Sequence, residues 1–185
     1  AVQHGLALSD DFREDEPGLQ WRFYEPSPWT FDRPGSARVR MTGDALEMTA
    51  EGHSPADSRP MLCIPVDHSY EISVRVEAPE NVTGGLVLYY NEECYAGIAA
   101  AQSDEGPTAV LWRKSSPWGR EVADAPIQGL RLTCDHHEVT FAYDDGSGWK
   151  SIRRGMETSG YHHNVFGGFV SLRVGLVACG TGTAS

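Results

Sequence analysis

Apolar and polar residues alternate along most of this chain. Ala37-Arg38-Val39-Arg40-Met41, Ala45-Leu46-Glu47-Met48, Tyr70-Glu71-Ile72-Ser73-Val74-Arg75-Val76, Leu130-Arg131-Leu132-Thr133 and Val139-Thr140-Phe141-Ala142-Tyr143 all show a period of two. In an extended chain this period turns one face to a core and the other to water, as antiparallel sheets do. Denser runs, Leu86-Val87-Leu88-Tyr89-Tyr90 and Phe169 to Val177, predict central strands with more coverage. Turn chemistry separates these runs at Pro34-Gly35, Thr42-Gly43-Asp44, Pro79-Glu80-Asn81, Asp104-Glu105-Gly106-Pro107 and Asp144-Asp145-Gly146-Ser147-Gly148. Strands recurring every ~8–15 residues, with no ten-residue amphipathic helix between them, predict an all-β sandwich or jelly roll rather than βαβ units. The glycines before Trp149 predict a hairpin in which Trp149 opens the return strand. Leu19, Trp21 and Phe23 fall on one face of a predicted core strand.

Composition narrows the function classes. At 185 residues the chain is one domain in size, with no internal repeat or linker, so residues 1–185 are expected to form a single domain. Lys and Arg total 15 against 26 Asp and Glu, a net charge of −11. That balance argues against nucleic acid or an anionic membrane surface as a partner, since both need clustered cations. No apolar stretch approaches the ~20 residues of a membrane-spanning helix. Ala1-Val2-Gln3-His4-Gly5 has neither an initiator Met nor a basic, apolar leader, so the sequence reads as processed or excerpted. Cys63, Cys94, Cys134 and Cys179 lie far apart in apolar or alternating runs and read as free thiols.

Candidate chemistry is sparse. No Gly-x-Ser-x-Gly elbow, phosphate loop or His-Glu-x-x-His motif occurs. Glu14-Asp15-Glu16 reads as a solvated acidic turn, and Glu92-Glu93 would point to opposite faces of a strand, so neither makes a glycosidase dyad. Asp10 and Asp11 could supply oxygen ligands to a structural Ca²⁺, although Phe12 beside them reads as a core anchor. No other cofactor is expected.

Two segments carry side chains suited to sugars. Ser159 to Phe169 is a glycine-flanked loop bearing Tyr161, His162, His163, Asn164 and Phe166. Aromatic faces stack on pyranose C–H faces and planar polar groups read hydroxyls. Local backbone satisfaction in a bulge or corner is the equal alternative for each residue. The second set is Tyr89, Tyr90, Tyr95, Trp112 and Trp118. Of Tyr89 and Tyr90 one is expected in the core and one displayed; Trp112 is expected on a half-exposed face. Trp118 and Trp29 are expected to be exposed on loops.

Several stretches resemble a known family. They are Asp10-Asp11-Phe12, Leu19-Gln20-Trp21-Arg22-Phe23, Pro60-Met61-Leu62-Cys63-Ile64-Pro65, Gly85-Leu86-Val87-Leu88-Tyr89-Tyr90-Asn91, Gly160-Tyr161-His162-His163-Asn164 and Gly168-Phe169-Val170-Ser171-Leu172-Arg173. In this order, from about residue 8 to the end, they resemble the C-terminal concanavalin A-like module of glycoside hydrolase family 43 β-xylosidases. The resemblance implies a concanavalin A-like jelly-roll β-sandwich of two antiparallel sheets. It implies a non-catalytic accessory module of a β-xylosidase or α-L-arabinofuranosidase, following a catalytic β-propeller that bears the carboxylates. Such a module would bind xylan or xylo-oligosaccharide through Tyr161, His162, Asn164, Phe166, Tyr90, Trp112 and Trp118, or cap the catalytic pocket with an aromatic loop. The matching loop is 161–169, with Val165 or Phe166 at the aromatic position and Phe166 preferred. Family members close with a further strand after the Ala-Cys-Gly region; here Thr181-Gly182-Thr183-Ala184-Ser185 follows, so that strand is expected to be missing from an excerpt or supplied differently. The competing classes are a free-standing sandwich glycosidase or lyase acting on hemicellulose through Tyr161, His162 or His163, and a purely structural module.

Overall fold

The structure is a computed structural model that describes residues 8–25, 38–65, 67–114, 116–168 and 170–185. Trp29 and Phe169 lie outside the described residues. Two layers of antiparallel strands build the molecule. The first is a seven-stranded sheet in the order β1 (Arg22–Phe23), β4 (Met61–Cys63), β13 (Arg173–Gly180), β6 (Val82–Asn91), β7 (Cys94–Ser103), β8 (Gly106–Arg113) and β9 (Ser116–Val122). The second layer holds a four-stranded sheet, β12 (Trp149–Glu157), β11 (Glu138–Asp144), β10 (Gly129–Asp135) and β5 (Ser69–Arg75). Beside it stands a three-stranded sheet, β14 (Thr183–Ala184), β3 (Leu46–Thr49) and β2 (Val39–Met41). Glu77 and Ser185 exchange two backbone hydrogen bonds, at 2.5 and 3.1 Å, and join these two sheets edge to edge.

The alternating runs form strands as their period demands. On β10 and β11, Leu130, Leu132, Val139, Phe141 and Tyr143 point inward and meet Leu86, Leu88, Ile98 and Leu111 of the larger sheet. A second core joins Trp21, Met48 and Ala184 to Met61, Val82 and Ala178. The Asp144–Gly148 turn behaves as expected. Gly146 and Gly148 take positive φ, the Asp144 carboxylate accepts from both of their N–H groups, and Trp149 opens β12. Asp145, its side chain almost wholly buried, accepts from Lys150 Nζ at 2.6 Å and closes the hairpin.

The far face of the seven-stranded sheet is also buried, which the alternation did not convey. Val87, Tyr89, Tyr95, Ala99, Trp112, Val177 and Cys179 form a third apolar cluster there. Residues 49–59 lie over part of it, with Ala56 packed against the cluster. Arg38 holds this segment in place. Its buried guanidinium donates to the carbonyls of Ser58, Arg59 and Thr49 at 2.6, 3.1 and 2.9 Å and pairs with Glu51 at 3.2 Å.

Two other expectations need correction. Leu19 is 89% exposed, so only Trp21 and Phe23 of its expected strand join a core. The last long strand begins at Arg173, later than the apolar run suggested, and residues 170–172 before it lie outside any strand.

Candidate functional site

One end of the sandwich gathers most of the unusual side chains. Here β6 turns into β7, β8 turns into β9, β13 begins, and residues 158–172 cross from one sheet to the other. The loop contains the single helical turn among the described residues, α1 (His163–Phe166). His162 caps it in extended conformation, its Nδ1 accepting from Asn164 N at 3.2 Å. Gly167 and Gly168 follow at φ +67° and +69°, a region in which a side chain is strained.

Tyr90 anchors this loop. Its ring is 1% exposed and its Oη donates to the carbonyls of Gly167 and Gly168 at 2.7 and 3.2 Å. Phe166 lies against Tyr90 at 6.2 Å between ring centroids and edge-on to Tyr161 at 6.1 Å. Burial pushes the Tyr161 hydroxyl up to about 12, with Cys94 adding to the shift and Arg113 opposing it. The loop's base is thus aromatic and shielded, while its tip is open: Val165 is 59% exposed, and His163 and Asn164 are exposed beside it.

Beside the loop lies an ionic and aromatic cluster. Tyr24 Oη donates to Glu92 Oε2 at 2.7 Å, and burial, reinforced by Glu92, raises the Tyr24 hydroxyl well above its ordinary value. Arg173 sits over the Tyr24 ring at 5.3 Å and donates to the Tyr90 carbonyl at 2.9 Å. Burial lowers its pKa, and the neighbouring Tyr24, Tyr89 and Glu92 resist that change. Tyr24 also packs edge-on to Tyr89 at 4.8 Å. Sequence reasoning passed over Tyr24 and Arg173 as site residues, because they join Glu92 only when β1, β4, β13 and β6 line up in one sheet. The adjacency of Glu92 to the Tyr-Tyr-Asn run was the one available signal.

The other expected site residues divide. Tyr161, His162, Asn164, Phe166 and Tyr90 come together at this end. Both Tyr89 and Tyr90 are buried, rather than one being displayed, because each face of the larger sheet is covered. Trp112 is 4% exposed within the third cluster, not half-exposed, for the same reason. Trp118 belongs to strand β9 rather than a loop. It falls where the β8–β9 register shifts, partly buried against the main core with Arg113 5.6 Å from its ring. Phe166, preferred for the family's aromatic position, packs between Tyr90 and Tyr161, and its neighbour Val165 is the more exposed of the two.

Asp10 and Asp11 lie away from this end. The Asp10 carboxylate accepts from Phe12 N, Gly18 N and Trp21 Nε1, each at 2.9 Å, so its oxygens fix the entry to β1. Asp11 pairs with Arg13 at 3.6 Å. Among the described residues no group of three or more His, Cys, Asp or Glu is placed to hold a metal ion.

The fold is an antiparallel β-sandwich with a loop-bearing end. Residues 9–185 match the family model described as the beta-xylosidase C-terminal concanavalin A-like domain, and the chain belongs to that family. A search of curated proteins gives no match. Among solved structures, the GH43 protein BlXynB from Bacillus licheniformis is similar at 19% identity and TM-score 0.78, over 95% of this chain and 37% of that one. The Bacteroides ovatus xyloglucan PUL GH43B is 17% identical with a TM-score of 0.80, over 100% of this chain and 38% of that one. The xylan beta-1,4-xylosidase from Bacillus halodurans C-125 is 12% identical with a TM-score of 0.74, covering 100% and 39%. The chain therefore spans well under half the length of these structures, and likeness at this identity speaks for the fold.

Proposed function

We propose that this chain is a non-catalytic accessory module of a β-xylosidase-type glycoside hydrolase, and that it works by presenting the 162–168 loop to the pocket of a catalytic β-propeller. The observation that carries this reading is the Tyr90-anchored loop, with a shielded base and an exposed Val165, His163 and Asn164. A loop held in one conformation loses little entropy when it meets a partner. The Tyr24–Glu92 and Arg173 cluster beside it supplies charged and hydrogen-bonding groups for the rim of such a contact.

Capping is favoured over independent xylan binding by the burial of the aromatics. A sugar platform needs an open ring face, and Tyr90 and Trp112 are buried while Phe166 is wedged between two rings. Among the described residues no carboxylate pair at this end is poised for glycoside cleavage, since Glu92 is engaged by Tyr24 and Glu93 is its neighbour in the turn.

Calorimetric titration of the chain with xylohexaose separates the two roles. Capping predicts no heat at millimolar sugar and a stable complex between the chain and its cognate propeller on gel filtration. Saturable heat that Phe166→Ala removes would restore independent binding in its place.

A further inference from the structure

The turn between β5 and β6 carries a motif that the loop-bearing end does not use. Asn81-Val82-Thr83 has the form of an acceptor for N-linked oligosaccharide: an asparagine, a residue other than proline, and a hydroxyl side chain two positions on. The chain has three asparagines, and only Asn81 has serine or threonine at that second position. Asn91 is followed by Glu92-Glu93 and Asn164 by Val165-Phe166. The tripeptide by itself says nothing of access, which depends on the fold around it.

The fold leaves the asparagine open. Asn81 is exposed, and so are Pro79 and Glu80 before it and the Thr181-Gly182 stretch beside it. Its backbone is held, since its carbonyl accepts from Thr181 N at 3.0 Å and its φ is +64°. That left-handed conformation suits asparagine, whose short polar side chain can return a hydrogen bond to the local backbone. Asn91 does so, its Oδ1 accepting from Glu93 N at 3.0 Å. The Asn81 carboxamide has no hydrogen-bond partner among the described residues and stands in solvent. The next two residues are seated instead. Val82 is 2% exposed in the second core, and Thr83 lies half-buried on β6 opposite Cys179. The turn thus projects one amide while its neighbours hold the strand, so a group attached there displaces nothing from either core.

The position also keeps clear of the rest of the molecule's working surface. β6 runs ten residues from Val82 to Asn91. At about 3.3 Å per residue Asn81 stands ~30 Å from the loop-bearing end. The inference is therefore independent of the role of the 162–168 loop.

We propose that Asn81 is the attachment site of an N-linked oligosaccharide when the chain enters a secretory lumen. The donor is a polyprenyl diphosphate-linked oligosaccharide. Asn81 Nδ2 forms a bond to C1 of the first sugar as the C1–O bond to the diphosphate breaks. The polyprenyl diphosphate leaves with the bonding electron pair, and the carboxamide gives up one proton.

Expression of the full chain behind a cleavable secretory leader in yeast tests it. A reporter peptide with an acceptor tripeptide of its own, placed ahead of Ala1, records entry into the lumen. The proposal expects two oligosaccharides per chain, one on the reporter and one on Asn81. Peptide N-glycosidase should remove both, converting each attached asparagine to aspartate and so marking position 81 by mass. Asn81→Asp keeps the turn, because aspartate also tolerates the left-handed conformation, and should lose one of the two. Thr83→Val preserves the β-branched shape on β6 and should lose the same one, whereas Thr83→Ser should keep it. Chains modified on the reporter but bare at Asn81 would overturn the proposal. So would a second oligosaccharide that survives Asn81→Asp.

Discussion

Replacing Tyr90 by Phe removes a single hydroxyl from the base of the loop and leaves the ring that supports Phe166. That hydroxyl makes one short hydrogen bond, 2.7 Å to the Gly167 carbonyl, and a longer one of 3.2 Å to Gly168. A hydrogen bond of this kind contributes about 0.5–1.5 kcal/mol net. Gly167 and Gly168 are exposed, so water can reach their carbonyls in the variant and no buried acceptor is stranded. The expected loss is therefore about 1 kcal/mol, near the middle of that range. In a chain of this size such a loss lowers the thermal midpoint by about 2–4 °C if the loop unfolds with the domain. The local effect is more diagnostic. Val165 N, Phe166 N and Gly167 N all donate within the loop, to His162 or His163 carbonyls at 2.9–3.2 Å. Their exchange should quicken by about fivefold for 1 kcal/mol, while Ile98 and Leu132 amides in the core keep their rates relative to global stability. Unchanged exchange at the three loop amides would refute the anchoring role assigned to Tyr90.

Other consequences are as direct. Arg38→Met should cost about 1–3 kcal/mol in urea unfolding, because it strands the buried Ser58 carbonyl and removes the bonds to Arg59 and Thr49; a cost below about 0.5 kcal/mol would show that Arg38 does not clamp the 49–59 segment. All four thiols are buried, and burial pushes Cys94 and Cys179 up to about 12. Ellman's reagent at pH 8 should thus label none in the native chain and all of them once denatured. Because a raised thiol pKa favours the neutral folded form, this contribution to stability is present at neutral pH and declines as pH rises from about 8.5 toward 12. Asp145 behaves oppositely. The Lys150 ammonium, followed by Ser147, holds its carboxyl well below the usual range. Its contribution persists above pH about 4 and is lost as pH falls further, a slope that Asp145→Asn should flatten in acid unfolding.

The strands were legible because their period is a local property. Tyr70–Val76 and Val139–Tyr143 each encode which side chains face the core, and both form as expected. The Asp144–Gly148 hairpin is equally local, fixed by two glycines and an aspartate. Coverage of a sheet's second face is not local. Trp112, Tyr89 and Tyr95 carry nothing in their own neighbourhoods to announce that residues 49–59 lie over part of their cluster, held by an arginine from before β2. The candidate site shows the same division. The glycine-flanked loop stood out by composition, yet the packing that half-buries Phe166 depends on a ring supplied by β6. Nothing local to Asp10 announces that its carboxylate accepts from Gly18 and Trp21, eight and eleven residues on.

The claim that the loop acts through a catalytic partner is tested most directly by one kinetic comparison. Val165→Asp places a charge on the exposed tip and should leave the module's thermal midpoint within about 1 °C of wild type, as for a surface change. In the enzyme that joins this module to its propeller, kcat/KM for xylobiose should then fall by about tenfold or more, the cost of a charge in a desolvated contact. An unchanged kcat/KM, with the module still folded and docked, would contradict the account.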